Sequence, residues 1–415
     1  MRILILTQYY PPEMGAPQNR LSDLAQRLMK AGHKLTILTA LPNYPQGEIF
    51  KEYRGRVVVE ERHENITIIR TWIYATKKKS FVRRLLNYFS FVFSSFSVGV
   101  WKSGLQDVVI VESPPLFLGI SGFLLSFWKN ARLVFNVSDL WPDSAIAMGI
   151  VSNRFFIRLS RWLEEFLYKR SVLITGQTQG IVNNIRSRFG DKQVALITNG
   201  VDINSFLLGS KPDQKAEIRR EFGFGDKFVI GYAGLHGLAQ GLETVVSAAR
   251  LLAEQKRLLF VFFGDGPEKE KLMRLREQLD LDNVRFYPPQ PRTRMPAIVG
   301  SFHVALIPLK RLDLFKGALP SKMFEAMAAA VPVVVAIDGE ARELVEKAQA
   351  GISIQAENPE AMADAILQLY ANEARLKTLG LNGQQYVIEH YDRQKIAQDF
   401  ERLLIQNSCP NTATA

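Results

Sequence analysis

The sequence alternates between short apolar runs and amphipathic segments, and it does so in two successive blocks. The first block opens with an apolar run at Arg2–Thr7, a helical pattern with leucines on one face that stops at Gly32, and a second run at Lys34–Thr39. This succession is a βαβ unit. Repeated alternation predicts parallel sheets covered by helices, which is the doubly wound α/β class.

Two blocks of about 200 residues predict two Rossmann-like domains that face a cleft. The remaining predicted strands are 108–111, 133–137, 172–175 and 194–197 in the first block and 228–232, 258–263, 284–286, 304–307 and 331–336 in the second. Helices of the second block are predicted at 243–253, 268–279, 321–329 and 359–370. We place the domains at residues 1–200 and 201–390. The closing segment, 391–415, holds a last helix from about Arg393 to Ile405, which packs back on a domain already built, and a disordered tail.

Several site classes are excluded by composition. The single cysteine, Cys409, lies in a polar tail, which excludes a disulfide framework or a cysteine zinc site and favours a reducing compartment. The five histidines show no metal-ligand spacing. Two uncharged stretches, 85–101 and 113–128, are shorter than the ~20 apolar residues of a spanning helix, so neither is predicted to cross a membrane.

Positive charge is concentrated in the first block. Residues 1–200 hold 26 Lys/Arg against 14 Asp/Glu, whereas the remainder holds 26 against 27. This asymmetry indicates a polyanionic partner for the first block: nucleic acid, an anionic membrane or a phosphorylated substrate.

The basic excess is strongest between Asn65 and Gln106, a stretch without any acidic residue. Its basic residues are Arg70, Lys77, Lys78, Lys79, Arg83, Arg84 and Lys102, and aromatic residues are interleaved from Phe81 to Trp101. We interpret residues 77–102 as an element that contacts an anionic membrane surface. The alternative is a core helix with a solvated basic end. Nucleic acid is disfavoured because the aromatics lie among Leu, Val and Ser rather than forming a stacking platform.

Two glycine-containing loops follow predicted strands. Gly15 ends a proline-rich loop just before a helix, where backbone N–H groups and the helix dipole favour an anion. Gly234 lies in the glycine-rich run 231–241, where backbone can closely approach a phosphate. Both glycines could instead serve loop geometry alone. For a third run, Gly264–Pro267, a structural turn is the favoured interpretation.

The most informative segment is residues 316–328. Pro320 and Ser321 indicate a helix start, which places Lys322 in the first turn and Glu325 on the same face. A cation beside exposed N–H groups suits a diphosphate, and a carboxylate one turn deeper suits vicinal hydroxyls of a sugar. The alternative is an N-cap Ser321, a solvated Lys322 and a Glu325 that serves the cap.

The ordered set of motifs resembles the GT4 retaining glycosyltransferases, closest to the WbuB-like branch of amino-sugar transferases in surface-polysaccharide assembly. The resemblance covers about residues 1–405 and is carried by Tyr9-Tyr10-Pro11-Pro12, Pro42-Asn43-Tyr44-Pro45, Ser113-Pro114-Pro115, Asp139-Leu140-Trp141-Pro142-Asp143-Ser144, Asn199-Gly200-Val201-Asp202, Gln240-Gly241-Leu242-Glu243 and Pro320-Ser321-Lys322 with Glu325. It implies a GT-B fold whose last helix crosses back to the first domain, a UDP-sugar in the second domain, an acceptor in the first, and no metal or cofactor.

The resemblance also implies roles for individual residues. Gly15, Gly234, Ser321 and Lys322 would hold the donor diphosphate, Glu325 the ribose, and Gln290 would lie beside the base. The sequence departs from the family at Gly317, Leu238 and Ser138, where many members carry Glu, Arg and His. Asp139 is therefore the candidate catalytic residue, with a helix cap or loop anchor as its alternative role.

Together with the resemblance, these features lead us to expect a cytoplasmic glycosyltransferase, peripheral on the inner face of the cell membrane. It would move a hexose, an amino or deoxy sugar, from a UDP-sugar to a polyprenyl-diphosphate-linked saccharide. The alternatives are a nicotinamide-dependent sugar-nucleotide oxidoreductase or epimerase, which the missing G-x-G-x-x-G disfavours, and a non-catalytic scaffold of the same fold.

Overall fold

The computed structural model describes residues 1–13, 15–77, 81–147 and 151–408, and the chain divides into two compact units. Unit 1 comprises Met1–Thr198 and the residues from Gln394 onward, and unit 2 comprises Asn199–Arg393. Three residues named in the sequence analysis, Lys78, Lys79 and Cys409, lie outside the described part of the chain.

Unit 1 is built on an eight-stranded sheet in the order β3-β4-β2-β1-β5-β6-β7-β8. Its strands are β1 (Arg2–Leu6), β2 (Lys34–Ala40), β3 (Val58–His63), β4 (Ile66–Thr71), β5 (Val108–Ser113), β6 (Arg132–Val137), β7 (Leu173–Gly176) and β8 (Val194–Leu196). Its helices are α1 (Ala16–Lys30), α2 (Phe81–Lys102), α3 (Leu118–Trp128), α4 (Asp143–Ala147), α5 (Arg154–Arg170) and α6 (Gln179–Arg188).

The predicted strands of unit 1 are confirmed, and the sheet contains two further strands that the sequence did not predict. β1, β2, β5 and β6 are almost wholly buried and pair in parallel, as expected for strands covered by helices on both faces. The missed strands are β3 and β4, of which β3 runs antiparallel at the sheet edge. β3 carries Glu60, Glu61 and Arg62 and is mostly exposed, so it lacks the apolar run that marks a buried strand.

The last helix, α16 (Arg393–Ser408), belongs to unit 1 from Gln394 onward. Phe400 and Leu404 are buried in the same apolar cluster as Ile3 of β1 and Leu21 of α1, and this cluster lies between the helices and one face of the sheet. A hydrogen-bond contact of 2.8 Å between His33 Nε2 and Glu401 Oε1 adds a polar interaction beside this cluster. The helix therefore completes the apolar core on that face.

Unit 2 has a six-stranded parallel sheet in the order β11-β10-β9-β12-β13-β14. Its strands are β9 (Phe228–Ala233), β10 (Leu258–Phe263), β11 (Val284–Tyr287), β12 (Val304–Pro308), β13 (Val333–Ala336) and β14 (Gly351–Ser353). Its helices are α7 (Ile203–Gly209), α8 (Pro212–Glu221), α9 (Leu242–Leu251), α10 (Lys269–Gln278), α11 (Met295–Gly300), α12 (Ser321–Ala328), α13 (Glu340–Ala348), α14 (Pro359–Tyr370) and α15 (Glu373–His390). The doubly wound α/β class is thereby confirmed.

Each sheet has a point at which the strand order reverses. In unit 1 this point lies between β1 and β5, and in unit 2 it lies between β9 and β12. Ligands of open α/β sheets bind beyond the carboxyl ends of the strands at such points. A ligand-binding site is therefore expected at the loops after β1, β5, β9 and β12.

Within the described ranges, every helix is too short or too polar to traverse a lipid bilayer. The longest of them, α2, has 22 residues and packs against α3 and the sheet of unit 1.

Candidate functional site

Two predicted donor-site residues flank the strand-order reversal of unit 2. Gly234 directly follows β9, and Lys322 lies in the first turn of α12, which follows β12. Gly234 has a φ of +146°, and a Cβ added there would lie 3.4 Å from Lys322 Nζ. A glycine at this position allows both its own backbone and the lysine to approach one ligand.

Lys322 is anchored by an aromatic residue at the end of β9. Its Nζ donates a hydrogen bond of 2.7 Å to Tyr232 Oη and lies 4.1 Å from the centre of the same ring. Tyr232 Oη in turn donates to the carbonyl of Leu235 at 2.7 Å. Burial lowers the pKa of Lys322 to about 7, because the charged form is poorly solvated, and the nearby Glu325 carboxylate opposes this shift. An incoming anion would supply the missing stabilisation of the ammonium.

Glu325 lies one turn further into α12 and is half-buried. Burial raises its pKa, and the charges of Arg393, Arg292 and Lys322 counteract that rise. Three basic side chains of unit 2 therefore favour the charged form of a carboxylate that is only partly exposed. Such a carboxylate can accept hydrogen bonds from a pair of hydroxyl groups.

The alternative role of Ser321 as a helix cap is wrong. The N-cap of α12 is Pro320, with φ −62° and ψ 129°, and no side chain caps the helix. The serine hydroxyl is therefore not used by the helix start. First-turn N–H groups lack acceptors within their own helix, so Ser321 and Lys322 open α12 with the polarity that favours a phosphate.

Gln290 lies on the loop after β11 and is tied into that loop. Its Nε2 donates to the carbonyl of Pro288 at 3.2 Å, and its Oε1 accepts from Arg294 at 3.2 Å. The loop residue whose charge acts on Glu325 is Arg292, which the sequence analysis did not name. Arg292 lies two residues after Gln290, which the resemblance places beside the base. This nearness in sequence is the signal from which Arg292 could have been predicted.

The glycines of the Gly264–Pro267 run serve loop geometry, as favoured from the sequence. A Cβ on Gly264 would lie 2.0 Å from the carbonyl oxygen of Gly234, and one on Gly266 would lie 2.4 Å from that of His236. The N–H of His236 also donates to the carbonyl of Asp265 at 2.8 Å. The loops after β9 and β10 are thus held together, which fixes the backbone at Gly234.

Gly15 belongs to unit 1 and is the N-cap of α1. A Cβ there would lie 2.4 Å from Gln18 Oε1, the end of a flexible side chain, so a larger residue would require only that side chain to move. The preceding loop is anchored by the buried carboxylate of Glu13, which accepts the N–H groups of Tyr10, Asn43 and Tyr44. These three hydrogen bonds hold in place the loop that leads into the N-terminus of α1.

Asp139 follows β6 in unit 1, and burial raises the pKa of its carboxyl above the ordinary value. It lines a pocket of about 170 Å³ that also includes Arg84, Tyr88, Trp141 and Ser144. A second pocket, of about 390 Å³, lies between α13, β14 and α15, and its lining contains none of the predicted site residues.

A buried polar network beside Asp139 was not foreseen from the sequence. Arg20 Nη2 forms an ion pair of 2.5 Å with Glu112 Oε1 and donates to Ser138 Oγ at 3.1 Å. Glu112 also accepts from Asn136 Nδ2 at 2.5 Å and from the Ser138 hydroxyl. Ser138 thus belongs to a buried ion-pair network at the carboxyl ends of β5 and β6. No motif spacing reveals it, because its members are far apart in the sequence.

Comparison with known proteins assigns the family. The model "Glycosyl transferase 4-like domain" matches residues 15–200, and the model "Glycosyl transferases group 1" matches residues 214–386. The two matches fall on successive units and together span most of the chain. The chain belongs to the GT4 glycosyltransferase family. The match favours glycosyl transfer over the nicotinamide-dependent alternative.

Individual relatives of this GT4 glycosyltransferase agree with the family match. It is 27% identical over 382 residues to Escherichia coli WcaI, named for colanic acid biosynthesis as a glycosyl transferase, with 89% of this chain and 92% of that protein covered. Its fold is similar to that of a sucrose-phosphate synthase from Thermosynechococcus elongatus, with a TM-score of 0.74, 18% identity and 98% of both chains covered. It is also similar to Anabaena Alr3699/HepE, solved in complex with UDP, with a TM-score of 0.73, 18% identity and coverage of 98% and 100%. The predicted GT-B fold is confirmed.

No group of three or more His, Cys, Asp or Glu side chains is placed to bind a metal ion within the described ranges.

Proposed function

We propose that this glycosyltransferase moves an amino or deoxy hexose from a UDP-sugar to a polyprenyl-diphosphate-linked saccharide in surface-polysaccharide assembly, with retention at the anomeric carbon. One observation carries the donor half of the proposal. Lys322 and Glu325 lie on the same short helix beside the strand-order reversal of unit 2, three residues apart. That arrangement offers a cation and helix N–H groups to a diphosphate and a carboxylate to the attached ribose.

Two relatives support the substrate classes. WcaI is named for the biosynthesis of colanic acid, which supports a role in polysaccharide assembly. Anabaena Alr3699/HepE, which has a similar fold, was solved with UDP, which supports a uridine nucleotide as the donor carrier. The sugar itself is proposed from the motif resemblance.

Catalysis is proposed to rest on stabilisation of the leaving diphosphate. Negative charge develops on the diphosphate as the bond to the anomeric carbon breaks, and Lys322 and the N–H groups of the α12 N-terminus would stabilise that charge. The anchor at Tyr232 keeps the ammonium from relaxing elsewhere. Because these groups supply the positive charge, the proposal invokes no metal ion or cofactor.

The acceptor half of the proposal is supported by exposed apolar surface on unit 1. On α2, Val82, Leu86, Phe89 and Phe93 form an outward stripe at helical spacing, while Phe91 faces the core. On α5, Phe155, Leu159 and Trp162 form a second stripe, flanked by the exposed Arg154, Arg158 and Arg161. Apolar stripes edged by arginines suit the headgroup region of an anionic leaflet. This surface supports the proposal that the enzyme acts at the inner face of the cell membrane, where a lipid-linked acceptor would lie.

Transfer in reconstituted vesicles tests the proposal. Vesicles containing polyprenyl-diphosphate-linked N-acetylglucosamine are incubated with a panel of UDP-, GDP- and dTDP-sugars, and the lipid product is analysed by mass spectrometry and NMR. We expect a product from a UDP-sugar with the anomeric configuration of the donor. A product formed only from a GDP- or dTDP-sugar would reject the donor assignment. A complete lack of transfer and of donor hydrolysis would instead support a non-catalytic scaffold.

Replacing Lys322 by alanine is expected to lower kcat/KM roughly 10- to 100-fold, because hydrogen bonds to charged groups contribute about 1.5–3 kcal/mol. Steady-state kinetics in the vesicle assay would measure the loss. Lys316→Ala is the matched control, since Lys316 is exposed and pairs only at the surface with Asp313, at 2.7 Å. Full activity of Lys322→Ala would remove Lys322 from the donor site.

The affinity for a UDP-sugar should depend on pH through Lys322. Its pKa is about 7 in the free protein, and a bound diphosphate raises that pKa, so binding takes up a proton above pH 7. Affinity should be constant below the free pKa and fall by about tenfold per pH unit above it, until the bound form also deprotonates. Calorimetry with UDP-glucose in two buffers of different ionisation enthalpy measures both affinity and proton uptake. An unchanged pH profile in Lys322→Arg would show that another group titrates.

Replacing Glu325 by alanine should weaken nucleotide binding rather than diphosphate binding. Loss of a carboxylate that accepts ribose hydroxyls should raise the Kd for UDP and for uridine roughly 10- to 100-fold. The Kd for inorganic pyrophosphate should change much less, because Glu325 acts on the diphosphate position only through its charge effect on Lys322. Glu343→Ala, an exposed change on α13, is the control. Equal losses for pyrophosphate and uridine in the calorimeter would contradict the ribose role.

A further inference from the structure

The 170 Å³ pocket of unit 1 lies at the carboxyl edge of its sheet. Pro114 follows β5, Asp139 and Trp141 follow β6, and the remaining walls come from α2 and α5. The carboxyl edge is where ligands of such sheets bind. The volume is smaller than that of pockets for drug-sized ligands, about 300–1,000 Å³, so the pocket suits one ring of a larger ligand.

The apolar walls of the pocket are aromatic and held in place from behind. Trp141 and Phe156 line it, and both pack against the buried ring of Phe117 at centroid distances of 5.2 and 5.8 Å. Tyr88 contributes a third ring from α2, 6.3 Å from Phe117. The aromatic surface is therefore preformed rather than assembled by a ligand.

Polar groups stand in the same pocket. The Ser144 side chain is completely buried next to the Asp139 carboxyl group, and its hydroxyl lowers the pKa of that carboxyl against the larger, opposite effect of burial. The Asp139 carboxylate is half-buried beside it. Asp139 interacts with Ser144 and with the backbone N–H of Leu140, and the remaining lone pairs of this partly desolvated carboxylate can accept hydrogen bonds from a ligand with hydroxyl groups. The exposed Arg84 stands at the α2 wall.

We propose that this pocket binds the sugar residue adjoining the diphosphate of the lipid-linked acceptor, with Arg84 directed to that diphosphate. The inference rests on the proposed function and names its acceptor subsite. The sugar ring packs on Trp141 and Phe156, and its hydroxyls bond to Asp139 and Ser144. A prenyl chain fits less well, because hydrocarbon would desolvate the Asp139 carboxylate further without offering it a hydrogen bond.

The surroundings of the pocket agree with a lipid-linked ligand. Tyr88 and Phe156 face the pocket, whereas their sequence neighbours Phe89 and Phe155 are exposed on the two apolar stripes. The sugar subsite and the surface proposed to meet the membrane are thus formed by the same two helices. A saccharide joined to a lipid through a diphosphate could occupy both at once.

Direct binding tests the proposal with two short-chain probes, farnesyl-diphosphate-linked N-acetylglucosamine and farnesyl diphosphate, on the full chain. Asp139→Ala and Ser144→Ala should raise the Kd for the sugar-bearing probe, by about tenfold for Asp139, and leave that for farnesyl diphosphate unchanged. Arg84→Ala should weaken both probes. Arg158→Ala, on the exposed face of α5, serves as the matched control.

The outcomes separate this inference from the proposed function. Equal losses for both probes in Asp139→Ala and Ser144→Ala, or no loss in either variant, would overturn the sugar subsite. If Asp139→Ala fails to fold, Ser144→Ala decides, with urea denaturation followed by tryptophan fluorescence as the test of an intact unit 1, which holds all five tryptophans. If the wild-type protein transfers sugar but the variants bind the probe normally, only the pocket is misassigned. If the wild-type protein transfers nothing, the proposed function fails.

Discussion

Replacing Arg20 by alanine is expected to lower the free energy of unfolding of unit 1 by about 3–5 kcal/mol, because it leaves a buried carboxylate without its cation. The side chains of Arg20 and Glu112 are only 6% and 4% exposed, and their atoms lie 2.5 Å apart. Glu112 would retain the hydrogen bonds from Asn136 and Ser138 but no neutralising charge from Arg20.

Unit 1 can be followed alone in this experiment. All five tryptophans of the chain, at 72, 101, 128, 141 and 162, belong to unit 1. Urea denaturation monitored by tryptophan fluorescence therefore reports its unfolding without contribution from unit 2. Arg62→Ala is the matched control, since Arg62 pairs with Glu60 at the surface, where such pairs contribute about 0–1 kcal/mol. Equal losses in Arg20→Ala and Arg62→Ala would show that the network does not stabilise the fold.

The double variant Arg20→Met with Glu112→Leu separates the attraction between the two charges from the free-energy cost of burying them. Replacing a whole buried ion pair by apolar residues is often neutral or stabilising, whereas removing one partner is not. We therefore expect the double variant to be more stable than Arg20→Ala. Because Ser138 is bonded to both members of the pair and precedes Asp139, a folded double variant with weak acceptor binding would show that the pair positions this loop.

The sequence predicted those parts of the fold whose signals are local. Parallel strands buried on both faces produce continuous apolar runs, so β1, β5, β10 and β12 were recognisable. The edge strand β3 is charged, and β14 has only three residues, so neither produces such a run. Their positions are decided by pairing with β4 and β13, which are long-range contacts.

In the candidate site, too, local sequence patterns predicted some residues and could not predict others. Lys322 and Glu325 were identifiable because helical spacing alone puts residues three apart on one face. Tyr232 lies 90 residues before the lysine to which it bonds, and Arg20 lies 92 residues before Glu112. Strand order brings these partners together, and strand order is not encoded in local periodicity. The same reason hid the pocket at Asp139, whose walls come from four separate segments.

Neutralising the basic residues before and within α2 is expected to reduce binding to anionic vesicles about 100- to 1,000-fold, since each Lys or Arg near an anionic surface contributes about 1 kcal/mol. The variant replaces Lys77, Lys78, Lys79, Arg83 and Arg84 by glutamine. Lys77 and Arg84 are exposed, and Lys77 pairs at the surface with Glu48, at 3.0 Å, so its own contribution is the smaller one. Lys78 and Lys79 lie outside the described residues and enter through their charge alone.

Sedimentation with phosphatidylglycerol vesicles, compared with phosphatidylcholine vesicles, measures this electrostatic contribution. The matched control neutralises five exposed basic residues of unit 2, at 211, 256, 347, 375 and 377. The control should sediment like the wild type, and UDP affinity should be unchanged in both variants. Equal sedimentation of the α2 variant and the wild type would remove residues 77–102 from the membrane contact.

Salt dependence then separates charge from apolar insertion. Charge attraction is screened within about 8 Å at physiological ionic strength, whereas burial of apolar side chains is not screened. Phe93 and Trp162 are the last residues of the apolar stripes on α2 and α5, and their side chains are 74% and 59% exposed. Replacing both by serine should therefore weaken vesicle binding at high salt as well as at low salt. If the serine variant loses binding only at low salt, the stripes are not inserted and the contact is electrostatic alone.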